Sequence, residues 1–531
     1  MSFLVDIFGY LTVLLQGIAL TATATTVGGV AFRAIMPDAG GAARRRHAVL
    51  LRASAAVLAA AILLATLLKV TIVAGTLGVA LGDVAGAPFV AAGIVAAAGA
   101  LAVVLAAGRV GAAARAAESV GVAAAIVGLT LVSHAVARLD GRVALAVATA
   151  LHLVAASLWI GGIPYFLVAL AGDGDRGEMR RIGAAFSRVA AASVVLLGLS
   201  GLYLALRYLG AWDAVYGTAY GVMVATKALL FGVLLLCGLH NARVVARMAC
   251  DPDAPVLRLR RVAEAEFGIA LAVLFAAASL TSVPPGIDLT EDRLAWHELV
   301  ERLTPTWPRM TSPDHADLAI PTLQAAAAGA VYVPGQAAPA PRNASDIGWS
   351  EYNHHWAGAI VLAIGIAALL AGSGVAWARH WPLLFLALAV FLGFRSDPES
   401  WPLGPVGFWE GFRNPEVAQH RFFTLVIVGF AFFEWGVQTG RWRARGTAWF
   451  FPLATALAAT LLLAHSHAIA NFKDLLIIEI SHIPIALLGL AAAWGRWLEL
   501  RLPGPEGRLA GRLWPLGLAL TGVTLLLYRE A

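Results

Sequence analysis

Charge is what this sequence has least of. Only 13% of its 531 residues are Asp, Glu, Lys or Arg, while 60% are hydrophobic; soluble domains carry about 25% charged residues. A soluble enzyme, a fibrous protein and a disordered scaffold are thereby excluded. Cysteine is nearly missing: Cys237 and Cys250 build neither a disulfide framework nor a CxxC thiolate site. The lysines are Lys69, Lys227 and Lys473, and none sits in a GxxxxGK[ST] phosphate loop. No Asp-Lys-Thr-Gly phosphorylation site is present either. With no ATP engine in view, any transport is downhill, ion-coupled or driven by a partner. Of 6 methionines only Met310 and the initiator fall outside the apolar runs on the outer side, which leaves a thioether relay for copper(I) poorly supported.

Long apolar runs are what the chain has instead. They fall at about 3–32, 48–74, 84–108, 116–137, 143–170, 185–209, 217–242 and 262–283, then at 355–377, 381–395, 418–438, 447–467, 472–494 and 512–528. Runs beyond about 18 residues read as membrane spans. The fold class expected is all-α: a polytopic integral membrane helical bundle of about 14 transmembrane helices. The run 381–395 is the shortest, below the roughly 20 residues of a full crossing. Asp6 precedes the first run where a basic leader would stand, so that run reads as a retained helix.

The net charge of +6 belongs to short arginine clusters between the runs, which are orientation signals and not a nucleic-acid surface. Arg44-Arg45-Arg46, Arg180-Arg181, Arg258 with Arg260 and Arg261, and Arg441 with Arg443 and Arg445 all fall on one side if the N-terminus is outside. Both termini are therefore expected to be extracytoplasmic. The domains expected are an eight-helix membrane domain at 1–284, an extracytoplasmic linker or loop at 285–352 and a six-helix membrane domain at 353–531. The linker is rich in Pro, Ala and acids, and a short helix is expected in it near 291–303.

In that topology all histidines but His47, His240 and His380 lie outside or in the outer half of the membrane. Ser133-His134 ends one helix and His152 follows inside the next; Ser466-His467 ends another and His482 follows inside its successor. An ionisable group about ten residues, or roughly 15 Å, below a surface pairs, lines a cavity or binds something. Two readings stay open for each: a hydrogen bond that packs helices, or a ligand. Glu479 and His482 share the Glu-x-x-His spacing with which bundles build carboxylate–histidine metal sites. His465 chelates with His467 only if the helix end unwinds. His354-His355 and His420 sit near helix ends and read as interfacial residues or entry ligands. Such imidazole and carboxylate donors suit copper or zinc, with copper(II) favoured on raw affinity, and neutral imidazole loses metal below about pH 6.

Ser133-His134-Ala135, the run His152-Leu153-Val154-Ala155-Ala156-Ser157-Leu158-Trp159-Ile160-Gly161-Gly162, Phe186-Ser187-Arg188, Ser193 and Ser200-Gly201 form a recognisable text. So do Tyr220-Gly221, Lys227, His240-Asn241-Ala242-Arg243 and Leu280-Thr281-Ser282-Val283-Pro284-Pro285. The stretch from about 133 to 285 resembles the CopD/PcoD copper-resistance membrane family. The resemblance implies a bacterial inner-membrane protein of copper homeostasis, not an enzyme, that moves copper from periplasm toward cytoplasm. It also implies a possible partner, a small periplasmic copper-binding protein. Residues His134 and His152 match the family's outward histidines. The chain departs from the family in having no fused soluble copper domain and in adding six further helices.

The expectation is therefore a copper transporter, its metal residues His134, His152, His467, His482 and Glu479, with His465 and His420 behind them; the ion is Cu(I) or Cu(II). One rival is a membrane cytochrome with bis-His haem b. The other is a non-transporting factor that delivers copper to a periplasmic apo-protein.

Overall fold

A computed structural model describes residues 8–35, 41–171, 176–248, 250–251, 255–319, 343–444, 446–464 and 472–530. Their regular structure is helical, with one isolated bridge between Ser400 and Val406. Thirteen helices among the described residues are long and apolar enough to cross a membrane, and a shorter apolar one covers Thr447–Leu463. The chain is a multi-pass membrane protein.

Contacts divide the chain into two compact units, one built on Phe8–Arg293 and the other on Leu294–Leu462 with Ile469–Ala531. In the first run α1 (Phe8–Phe32), α2 (Gly41–Leu77), α3 (Pro88–Ala106), α4 (Ala112–Leu131), α5 (Arg142–Leu170), α6 (Arg176–Leu209), α7 (Ala219–Arg247) and α8 (Val256–Leu280). In the second run α9 (Ala344–Gly372), α10 (Ala376–Arg395), α11 (Pro415–Gln438), α12 (Thr447–Leu463), α13 (Phe472–Arg501) and α14 (Pro505–Leu526).

In hydrocarbon, apolar side chains gain little by leaving lipid for protein, so helices associate where small residues let backbones approach. This chain does so repeatedly. A Cβ on Gly161 of α5 would stand 1.7 Å from the Ala24 carbonyl oxygen of α1, and one on Gly28 would stand 2.3 Å from the Gly161 carbonyl carbon. Gly99 of α3 meets the Gly121 carbonyl of α4 in the same way, and Gly358 and Gly365 of α9 meet Leu526 and Ala519. The crossing at Gly161 coincides with a kink. Pro164 has no N–H to give the Ile160 carbonyl, and Ile163 N–H reaches that oxygen instead, at 3.2 Å.

Polar segments between the spans are pinned by ion pairs. Arg138 clamps Asp288 at 2.6 Å, and Arg293 bonds Asp213 at 2.9 Å and the Gly286 carbonyl, folding 286–293 back onto the first unit. The Arg293 hydrogen bond holds the Asp213 carboxyl below its ordinary value, so this clasp is complete at neutral pH and opens only in acid. Glu118, buried between helices, takes both its bonds from Arg33, just past the end of α1, at 2.6 Å.

Four boundaries differ from the sequence reading. The run at 381–395 gains a 3-10 segment, Ala376–Leu383, at its front and is a full-length span. The linker loses its last residues to α9, because Asn343 caps the Ser345 and Asp346 amides while Asp346 answers the Asn343 amide. The linker helix itself is Trp296–Leu303. His134 does not end α4, which stops at Leu131; it opens a separate short helix, His134–Ala137.

Candidate functional site

His152 lies ten residues into α5, facing α6 and α7. Its Nδ1 is 3.2 Å from Ser200 Oγ, and Ser200 Oγ is 2.7 Å from the Leu196 carbonyl. A hydroxyl has one proton, and the carbonyl can only accept it, so Ser200 receives the His152 Nδ1–H. The ring is thereby held in the tautomer with its lone pair on Nε2, the state that binds a metal. Gly201 makes the space: a Cβ there would stand 3.1 Å from His152 Cε1. Lys227 of α7 is close enough to act electrostatically on the imidazole. One turn before Lys227, buried Met223 takes a contact from Ser279 Oγ at 3.9 Å.

Below this level α5, α7 and α8 meet on a second polar group. The carboxylate of Glu266 is 3% exposed and accepts from Trp159 Nε1 at 3.1 Å and from Asn241 Nδ2 at 2.8 Å. Cys237, one turn before Asn241, lies beside it. His134 is exposed at one end of the first unit, with Nε2 3.0 Å from the Thr281 carbonyl.

The second unit holds another imidazole cluster. His354 of α9 stacks on Tyr528 with ring centroids 3.8 Å apart and meets His482 of α13 edge-on at 6.3 Å. His354 Nδ1 reaches the Ser350 carbonyl at 2.9 Å and His482 Nδ1 the Ile478 carbonyl at 2.7 Å. His355, buried, accepts from the Arg309 amide and donates to the Tyr528 carbonyl at 2.8 Å, a structural staple. Asp397 takes His420 Nδ1 at 2.6 Å.

Of the residues expected from sequence, His152 is bonded through Nδ1 to Ser200 of a neighbouring helix. Glu479 is buried, and no hydrogen bond or ion pair of its side chain occurs among the described residues. The structure gives His482 a different neighbour from the one its spacing suggests: its ring turns back on the Ile478 carbonyl and faces His354, which sequence placed at the interface. His465 and His467 lie outside the described residues. Among those residues no group of three or more His, Cys, Asp or Glu is gathered tightly enough to hold a metal. Sequence reasoning passed over Glu266, although a carboxylate inside an apolar run is a signal in itself.

A family model described as Copper resistance protein D matches residues 180–280. Over this segment the chain is CopD-like. The CopD-like segment contains Ser200, Gly201, Met223, Lys227, Asn241, Glu266 and Ser279, the groups that face His152 or lie below it. The chain is also 29% identical over 141 residues to the "Copper transport protein CutJ" of Bacillus subtilis (strain 168), which covers 25% of this chain. It spans about a quarter of that relative's length, 24%. No solved structure matches the chain.

The Ser200–His152 bond is directly testable. Ser200→Ala removes the acceptor that fixes the tautomer, and losing such an outer partner weakens metal affinity by about 10–100-fold. If copper rests on His152, the Ser200→Ala protein is expected to fall in that range in a copper competition titration, and the stranded Nδ1–H lowers its unfolding temperature modestly.

Proposed function

We propose that the chain is an inner-membrane copper transporter, not an enzyme, that passes the ion through the first unit by way of His152. The observation that carries this reading is the His152 ring itself: set deep in the bundle, its lone pair fixed on Nε2 by Ser200, and faced by the CopD-like segment. A single imidazole is a weak station, which suits transit, since an ion must leave as readily as it enters. His134 stands at the entrance and Lys227 beside the station. A cation next to His152 is repelled by a protonated Lys227, so the lysine either releases its proton or swings away when copper arrives; this makes it the coupling group. The arginine clusters at the opposite ends of the helices support an outside His134 end, and the proposed movement is from that end toward the cytoplasm.

Purified protein in liposomes loaded with a copper-sensitive dye tests the reading. Wild type is expected to take up copper, and His152→Ala to lose at least about tenfold of the rate while inserting normally. Equal uptake by the variant overturns it. Copper binding without flux by the wild type supports a delivery factor in its place.

A further inference from the structure

We infer that the segment joining α10 to α11 is a lipid anchor: the rings of Trp401, Phe408, Trp409 and Phe412 lie in the headgroup layer of the bilayer, against phospholipid. The four rings form one exposed group. Phe408 meets Trp401 at 5.8 Å, Trp409 at 5.0 Å and Phe412 at 5.7 Å, and Trp409 stacks on Phe412 at 5.9 Å. Trp401 is 53% exposed and Trp409 80%; rings grouped in this way mark a membrane or a protein contact. The loop that carries them is built. The Trp401 amide reaches the Val406 carbonyl at 2.8 Å, and the Val406 amide reaches the Glu399 carbonyl at 3.0 Å.

Where the rings sit decides what covers them. Trp401 packs at 6.4 Å on Phe394, in the last turn of α10. Arg421 stands six residues into α11, about 9 Å along it. Its guanidinium carbon is 4.3 Å from the Phe408 centroid and 5.0 Å from that of Phe412, and it donates to the Phe408 carbonyl. Gly411 leaves room for this head, since a Cβ there would stand 2.9 Å from Nη2. The loop is thereby drawn down along the flank of the two spans instead of rising over their ends. One turn deeper on the same helix faces stand Val390, below Phe394, and Leu425, below Arg421. Both are exposed, and an exposed apolar side chain of a spanning helix faces hydrocarbon. The ring group continues that surface to the level of the helix ends, where tryptophan is enriched in membrane proteins. Charge agrees with lipid over protein: the exposed Glu410 and Arg413 cancel, which leaves nothing to steer a charged partner. The anchor fixes the depth of α10, a span of 20 residues, and does not depend on the transport reading.

The test is an environment-sensitive dye on Trp409→Cys in the full-length protein carrying Cys237→Ala and Cys250→Ala. Phosphatidylcholine nanodiscs leave both membrane faces open to buffer. Iodide is expected to quench this dye at least about fivefold less than the free dye–cysteine adduct, while phosphatidylcholine with a nitroxide high on its acyl chain quenches it strongly. Iodide quenching equal to that of the free adduct overturns the inference, because the rings are then in water. Protection from iodide without quenching by the nitroxide lipid overturns it too: a second copy or another protein then covers the rings. Should Trp409→Cys not fold, Phe412→Cys labelled in the same way reports on the same ring group. In the unsubstituted protein, hydroxyl-radical oxidation of Trp409 as fast in nanodiscs as in the urea-unfolded chain refutes the anchor independently. Failure of copper uptake in liposomes refutes transport alone and leaves these measurements untouched.

Discussion

Gly161→Ala is expected to destabilise the protein by about 3 kcal/mol or more, and Gly161→Leu to prevent recovery of folded protein altogether. The added Cβ would lie 1.7 Å from the Ala24 oxygen, 2.3 Å from the Ala24 carbonyl carbon and 2.5 Å from the Ser157 oxygen, and all three are backbone atoms. No rotamer change relieves such a clash, so α1 and α5 must separate. Overpacking ordinarily costs about 1–3 kcal/mol, and more when the backbone has to move. In a membrane the loss is worse, because close backbone contact is itself what holds the helices together. The separation would also disturb Gly29, where a Cβ would stand 2.3 Å from the Tyr165 hydroxyl. Gly198→Ala is the control: nothing lies within 4 Å of its Cβ position in α6, and Ala in a helix interior gains about 0.5–1 kcal/mol over Gly. Thermal unfolding in detergent, followed by tryptophan fluorescence, should separate the two alanine variants clearly. Equal unfolding temperatures would show that the α1–α5 crossing is not where stability resides.

The spans were readable from sequence because a membrane helix must satisfy its backbone internally and face lipid with apolar residues, and both demands write themselves as long runs. Less legible was what a run hides. Glu266 stands with Glu264 in a stretch whose average announces a span, and that average conceals the carboxylate on which Trp159 and Asn241 converge. His152 was visible by its depth, and the Ser200-Gly201 pair was visible as text. Their meeting, one giving an oxygen and the other empty space, required the packing of α6 on α5. The Glu479–His482 spacing left the ring's direction open for a local reason: residues at i and i+3 share a face, but a side chain is free to curl back on its own helix, and His482 Nδ1 does so. Its neighbour His354 comes from a helix far away in sequence, a contact no spacing rule reaches.

Glu266→Leu is expected to destabilise the protein by roughly 2–6 kcal/mol, and Glu266→Gln by far less. The carboxylate is the shared acceptor for the Trp159 indole N–H and the Asn241 amide, which tie α5 and α7 to α8. Leucine strands both donors in a buried site, and each orphaned group costs about 1–3 kcal/mol. Glutamine keeps one acceptor for Trp159 but points an N–H₂ toward Asn241. The Asn241 side chain has an answer, since its Oδ1 is buried without a partner. Turning that amide over presents Oδ1 to the new donor and restores the link, with Nδ2 taking the place of the partnerless Oδ1. Unfolding temperatures of the two variants test this, and adding Asn241→Leu to Glu266→Gln should remove the rescue. The same pair separates structure from transport. If the charge of Glu266 helps copper leave the His152 level, the well-folded Glu266→Gln protein loses uptake in liposomes. Should its uptake match the wild type, Glu266 is a brace between three helices and the ion's path lies elsewhere in the first unit.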